Sequence, residues 1–153
     1  LPLVVMDITW WQFMIGFLVM NFAEGLVLGL VFQLAHLVED TEMPNPQGDE
    51  NIEETWAAHQ MRTTANFARK NPVVNFLCGG LNLQVEHHLF PKICHIHYVE
   101  ISEIVKKTAE EFGLPYKENA TFGSALKSHY DFLKAAGRAS EKEVVSEEIE
   151  VMA

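Results

Sequence analysis

The sequence predicts an all-α integral membrane fragment, with one transmembrane helix followed by a cytosolic helical cap. Three observations predict it. A 31-residue stretch from Ile8 to Val38 holds a single carboxylate, Glu24, and about 20 mostly apolar residues suffice to cross a bilayer. Later segments carry apolar residues at helical spacing. An adjacent histidine pair, His87 and His88, gives the cap a chemical focus. The implied division is a membrane-spanning segment over 1–38, a helical cap over 39–137 and an acidic, disordered or frayed tail over 138–153.

Leu1 to Met6 reads as the end of an earlier apolar segment, and the chain starts at Leu rather than Met, so a C-terminal fragment is expected. The apolar run that follows is too long for a signal peptide and has no basic leader. Trp10 and Trp11 suit a membrane interface at one end, and Glu39, Asp40 and Glu42 close the other. Asn21, Glu24 and Gln33 interrupt the run and need partners, because an unsatisfied polar group in hydrocarbon costs several kcal/mol. His36 falls where the helix leaves the lipid. Glu39 and Asp40, three and four residues on, lie near enough to orient its ring.

Pro44, Pro46 and Gly48 then make a loop, and a helix is expected from about Ile52 through Trp56 and His59 to about Arg69, where Asn71-Pro72 breaks it. The apolar segment Val73 to Leu83 is too short to span and contains Gly79-Gly80. Tyr98, Ile101, Val105 and Phe112 form the stripe of an amphipathic helix closed by Gly113 and Pro115. A last helix is expected from about Thr121 to Ala136, with Gly137 as its stop.

The net charge of −10 comes from two places: seven acids without a base between Glu39 and Glu54, and five acids against two bases from Arg138 onward. No basic stripe is left to displace counterions from phosphates, which argues against a nucleic-acid partner. Cys78 and Cys94 form neither a disulfide framework nor a Cys-x-x-Cys motif, in keeping with a reducing, cytosol-facing location.

The run Leu83-Gln84-Val85-Glu86-His87-His88-Leu89-Phe90-Pro91 carries the strongest chemical signal. On a helix, successive residues turn by about 100°, so the two histidines lie to either side of the direction of Gln84, and one face could serve two neighbouring metals. Neutral imidazole suits iron, zinc, copper and nickel rather than magnesium or calcium. His36, His87 and His88 are therefore candidate ligands. Glu86, His59, Gln60 and Thr63 are candidates for orienting ligands or lining a substrate channel, beside Glu39 and Asp40. His95 and His97 read as hydrogen-bonding or packing residues, and His129 as a surface or packing residue.

The phrase from Gly79 to Pro91 resembles the third histidine box of the membrane fatty acid desaturases, in the front-end and linoleoyl-CoA-desaturase-like variant whose first histidine is glutamine. Phe32 to His36 resembles the isolated histidine at the end of that family's fourth membrane helix, and Trp56 to Phe67 is similar to the segment before the third box. Phe90 to Tyr98 and Gly113 to Tyr116 also look like its C-terminal region. The resemblance implies a centre of two iron ions with His36, His87 and His88 as imidazole ligands and Gln84, at a position that is histidine in many relatives, binding weakly, acting through water or only hydrogen-bonding. It also implies a membrane lipid or acyl-chain substrate, and an electron donor such as ferredoxin or cytochrome b5. Its other two boxes, of the HxxxH and HxxHH kinds, are missing from this sequence, so the stretch alone is expected to be inactive. Desaturation of an unactivated methylene consumes O2 and two electrons, while the protein contributes ligands, placement and exclusion of water. The rivals are a membrane hydroxylase on the same scaffold and a non-enzymatic or zinc-binding membrane protein.

Overall fold

A computed structural model of the chain describes residues 2–39, 41–42 and 55–152, with side chains from residue 3 to residue 140 of these ranges. The chain divides into two compact units, Leu1–Phe32 and Gln33–Ala153.

The first unit contains α1 (Pro2–Val5) and most of α2 (Trp10–His36). Thr9 and Gln12 start α2 as half of a capping box, the Gln12 Oε1 accepting both the backbone N–H of Thr9 at 2.9 Å and its hydroxyl at 2.8 Å. The helix is long and apolar enough to cross a membrane, and large side chains such as Trp10, Phe22 and Val27 are exposed along it. Asn21 finds a partner within the helix itself, donating to the carbonyl of Phe17 at 2.8 Å.

The second unit is mostly helical: α3 (Trp56–Thr63), α4 (Pro72–Leu77), α5 (Gln84–Leu89), a 3-10 turn at His95–His97, α6 (Tyr98–Glu111) and α7 (Phe122–Met152). Asn71 caps α4, its side chain accepting from the backbone N–H groups of Val73 and Val74, and Pro72 fills the first turn. Gly113, at φ 66°, closes α6: Leu114 N–H bonds Ala109 O at 2.9 Å and Gly113 N–H bonds Glu110 O at 3.3 Å, the paired bonds of a Schellman ending. Two small cores hold the unit together. One gathers Leu34, Ala35, Phe67, Ala68 and Ala125; the other gathers Met61, Val85, Val105 and Ala109.

Three expectations need correction. The helix foreseen to about Arg69 ends at Thr63, and its expected start near Ile52 lies outside the described residues. Residues 64–69 are instead buried, and they contain β1 (Asn66–Phe67), which pairs in parallel with β2 (Glu118–Asn119), so the fold is not purely helical. The pairing satisfies buried peptide groups that the helix end leaves open: Asn66 N–H donates to Lys117 O and Ala68 N–H to Asn119 O, each at 2.9 Å. On the other edge, Phe67 exchanges two 2.9 Å bonds with Asn82, its N–H to the backbone carbonyl and its own carbonyl from the Asn82 side-chain amide. Finally, α7 passes through Gly137 to Met152, beyond the expected stop and into the expected tail. Gly137 lacks the positive φ that ends α6 at Gly113, and no proline follows it.

Candidate metal centre

Four segments of the second unit converge on the histidines. The C-terminal carbonyls of α2 lack helical partners and are taken up one by one: Ala35 O by Ala65 N–H at 2.8 Å, His36 O by the Thr41 hydroxyl at 2.9 Å, Leu37 O by His129 Nδ1 at 2.7 Å. These bonds fix the backbone on both sides of His36. His129 is thus a buried clasp between α7 and the end of α2.

Helix α5 is tied down from beneath. Asn66 and Glu86 are both fully buried, and the Asn66 Oδ1 accepts the N–H of Val85 at 2.9 Å, satisfying a free donor in the first turn of α5. The Asn66 amide donates to Glu86 Oε2 at 2.7 Å and to the Tyr116 hydroxyl at 2.8 Å, while Tyr116 donates to Glu86 Oε1 at 2.9 Å. Burial pushes the Glu86 carboxyl above its usual range, against the opposing pull of these bonds. Burial, with the neighbouring Glu86 charge, raises the Tyr116 hydroxyl as well.

With α5 held this way, its other face presents Gln84, His87 and His88. The ring centroids of His36 and His88 are 5.2 Å apart with planes at 25°, and those of His87 and His88 are 5.9 Å apart at 51°. Each ring meets a protein group at Nδ1. His36 Nδ1 faces Thr63 O at 3.4 Å, His87 Nδ1 lies 3.5 Å from the Tyr98 hydroxyl, and His88 Nδ1 is 2.7 Å from Gln60 Oε1 and 3.4 Å from the Thr64 hydroxyl. Burial, then the nearby rings of His36 and His87, push His88 down to about 4, so it is neutral at pH 7 and retains a lone pair. Gln84 is 2% exposed; its Nε2 is 3.3 Å from His88 Nε2, and its Oε1 is buried without a hydrogen-bond partner.

The donor set fits part of a histidine-rich metal site. Nδ1 engaged by protein and Nε2 left over is the pattern of metal-binding imidazoles, and an orphaned buried amide oxygen is a site feature that a cation or its water would satisfy. It is not a closed site: among the described residues, no three His, Cys, Asp or Glu side chains are grouped to hold an ion, and the rings of His36 and His88 stack.

The remaining sequence candidates separate. Gln60 and Thr63 join the cluster. His59 is half-buried and its carbonyl accepts the Thr63 hydroxyl at 3.0 Å. Glu39 is exposed and its backbone N–H meets the Ser128 hydroxyl at 3.1 Å, whereas Asp40 lies outside the described residues. Glu86 turns toward Asn66 and Tyr116. Asn66, Thr64, Tyr98 and Tyr116 were not foreseen as site residues; the segments holding them carried the resemblance, but nothing in their local pattern marks single residues.

Comparison with known proteins gives the family. Residues 1–120 match the fatty acid desaturase family. The chain is 48% identical over 130 residues to the sn-1 linoleoyl-lipid 6-desaturase of Synechocystis sp., covering 84% of this chain and 36% of that protein. It is 45% identical over 120 residues to the enzyme of the same name from Arthrospira platensis, covering 78% and 32%, and 44% identical over 113 residues to the acyl-lipid (8-3)-desaturase of Physcomitrium patens, covering 74% and 23%. The chain therefore spans about a quarter to a third of the length of these relatives. No solved structure matches it. With the family matched across most of its length, through His36 and the α5 histidines, the chain belongs to the fatty acid desaturase family.

Proposed function

We propose that this chain is the C-terminal part of a membrane fatty acid desaturase, which introduces a double bond into an acyl chain with a di-iron centre, O2 and two electrons. The observation that carries the reading is the meeting of His36, from the end of an apolar helix, with His88, 52 positions later, at a ring separation of 5.2 Å. His36, His87 and His88 would hold iron through Nε2, and Gln84 would contribute its amide oxygen directly or through water. Bound iron would supply the oxidising power; the chain's own residues hold and orient. Thr63, Tyr98 and Gln60 fix the rings through Nδ1, and the Asn66–Glu86–Tyr116 network keeps α5 in place. Imidazoles from the family's other two boxes, elsewhere in the full-length protein, would complete the site.

In this reading α2 spans the bilayer and the histidine region faces the cytosol, where a ferredoxin or a cytochrome b5 delivers electrons. An apolar cavity of about 340 Å³, lined by Met61, Leu89, Phe90, Ile101 and Val105 among others, is a suitable berth for part of an acyl chain. Its walls are almost wholly apolar, matching a substrate whose binding is driven by burial of methylenes.

The test uses the full-length protein. About two irons per chain and a new double bond in the lipid product are expected. Either His87→Ala or His88→Ala should abolish product while leaving membrane insertion intact. Normal product from either variant refutes the ligand assignment, stoichiometric zinc refutes the di-iron centre, and a hydroxylated product moves the chain to the oxygenase reading.

A further inference from the structure

Gln60 on α3 meets an α5 histidine at short range, its Oε1 lying 2.7 Å from His88 Nδ1. An amide oxygen only accepts, so at this contact His88 Nδ1 carries the proton and donates it. A neutral imidazole has one proton, which leaves His88 Nε2 as the lone-pair nitrogen. The group 3.3 Å from that nitrogen is Gln84 Nε2, which only donates. Gln84 is 2% exposed, and with its Nε2 at His88 its Oε1 is left buried and unpartnered.

The order of constraint runs from Gln60 to His88 to Gln84. Reversing the His88 tautomer would set an N–H against the NH2 of Gln84, two donors face to face, and would turn that amide around. We infer that Gln60 is the positioning residue of the centre: by accepting from His88 it sets which nitrogen of that ring is left as the ligand. Thr64 makes the longer contact with the same nitrogen, 3.4 Å against 2.7 Å for Gln60. Gln60 is half-buried, whereas Ala58 and Met61 are the buried residues of α3, so exchange at position 60 leaves the packing of that helix in place.

The inference rests on His88 being an iron ligand, and the experiment separates the two. Full-length wild-type protein, Gln60→Met and Gln60→Glu are loaded with iron-57; iron content, retention against a chelator, Mössbauer spectra and thermal midpoint are measured. Gln60→Met keeps the length of the side chain but removes the acceptor. It should weaken iron retention by about 10–100-fold, the usual effect of losing such a partner, and broaden or shift the doublet of one iron, while the thermal midpoint of the iron-free protein stays unchanged. Gln60→Glu restores an acceptor, now anionic, and should retain both irons while shifting that same doublet. Wild-type retention and spectrum in Gln60→Met overturn the inference. So does an unshifted doublet in Gln60→Glu, which decides the matter even if the methionine variant does not fold. Wild-type protein without iron would instead overturn the di-iron reading.

Discussion

Asn66 shows how much of this structure depends on single amides. Its oxygen accepts from the first turn of α5, and its two amide hydrogens reach Glu86 and Tyr116. Asn66→Ala leaves a buried backbone donor, a buried carboxyl oxygen and a buried hydroxyl each short of a partner, and one such orphan costs about 1–3 kcal/mol. Asn66→Asp preserves the shape and the acceptor but sets a second carboxyl 2.7 Å from Glu86 Oε2, where the donor had been. Both variants should lose about 3 kcal/mol or more, measured by chemical unfolding in detergent; a loss below about 1 kcal/mol would mean the network does not hold α5. The sequence alone pointed to the helix face that bears Gln84, His87 and His88, because helical rotation relates neighbours by a fixed angle. It could not point to Asn66, 18 positions before Gln84, since a partner across the fold leaves no periodic trace.

At the scale of elements, the turns are as constrained as the helices. Gly79 and Gly80 both have positive φ, at 57° and 78°, between α4 and α5. A Cβ on Gly79 would meet open space, but one on Gly80 would lie 2.6 Å from the Cβ of His95 in the 3-10 turn. Gly79→Ala should therefore cost about 1–2 kcal/mol, the left-handed penalty alone, and Gly80→Ala distinctly more, because the 3-10 turn must also move. Equal costs in parallel unfolding curves would show that the approach of His95 to Gly80 is not required. The second brace is Arg69, 6% exposed, whose Nε bonds Glu118 at 2.9 Å and whose Nη1 bonds Ser102 at 3.1 Å and Glu103 at 2.6 Å, joining the residues after β1 to β2 and α6. Burial works to raise the Glu118 carboxyl, but the bonds from Lys106 and Arg69 outweigh it and hold the group below its ordinary 4.5. A carboxyl depressed on folding adds stability that is present above pH 4.5 and is lost as pH falls through the lower folded value. Unfolding midpoints from pH 6 to pH 3 should thus fall less steeply for Glu118→Gln than for the unaltered protein. The Schellman ending of α6 was legible from Gly113 and Pro115 because local turn chemistry decides it. The parallel pairing of β1 with β2 was not, because two residues on each strand, 52 positions apart, carry no alternation to read.

At the scale of the whole molecule, the long apolar helix and the histidine pair were read from composition and spacing alone, whereas the packing of the cap emerged only with the structure. Helix α2 exposes large apolar side chains between Trp10 and Leu28, whereas Val31, Leu34 and Ala35 near its end are buried, and the apolar content makes insertion a quantitative question. Thirteen Leu, Ile, Val and Phe residues lie between Trp10 and His36. At about 0.3–0.6 kcal/mol each near the helix centre, they favour insertion by roughly 4–8 kcal/mol, and a carboxylate such as Glu24 near the middle opposes it by about 3. The balance is favourable but modest. Glu24→Leu should raise the inserted fraction, while Phe22→Arg with Leu26→Arg adds about 5–7 kcal/mol of cost and should reverse the balance. Both are read by placing α2 in a carrier with glycosylation acceptors on either side and measuring the spanning fraction in microsomes. Insertion that is indifferent to two central arginines would mean that the apolar surface of this helix is not what places it across the bilayer.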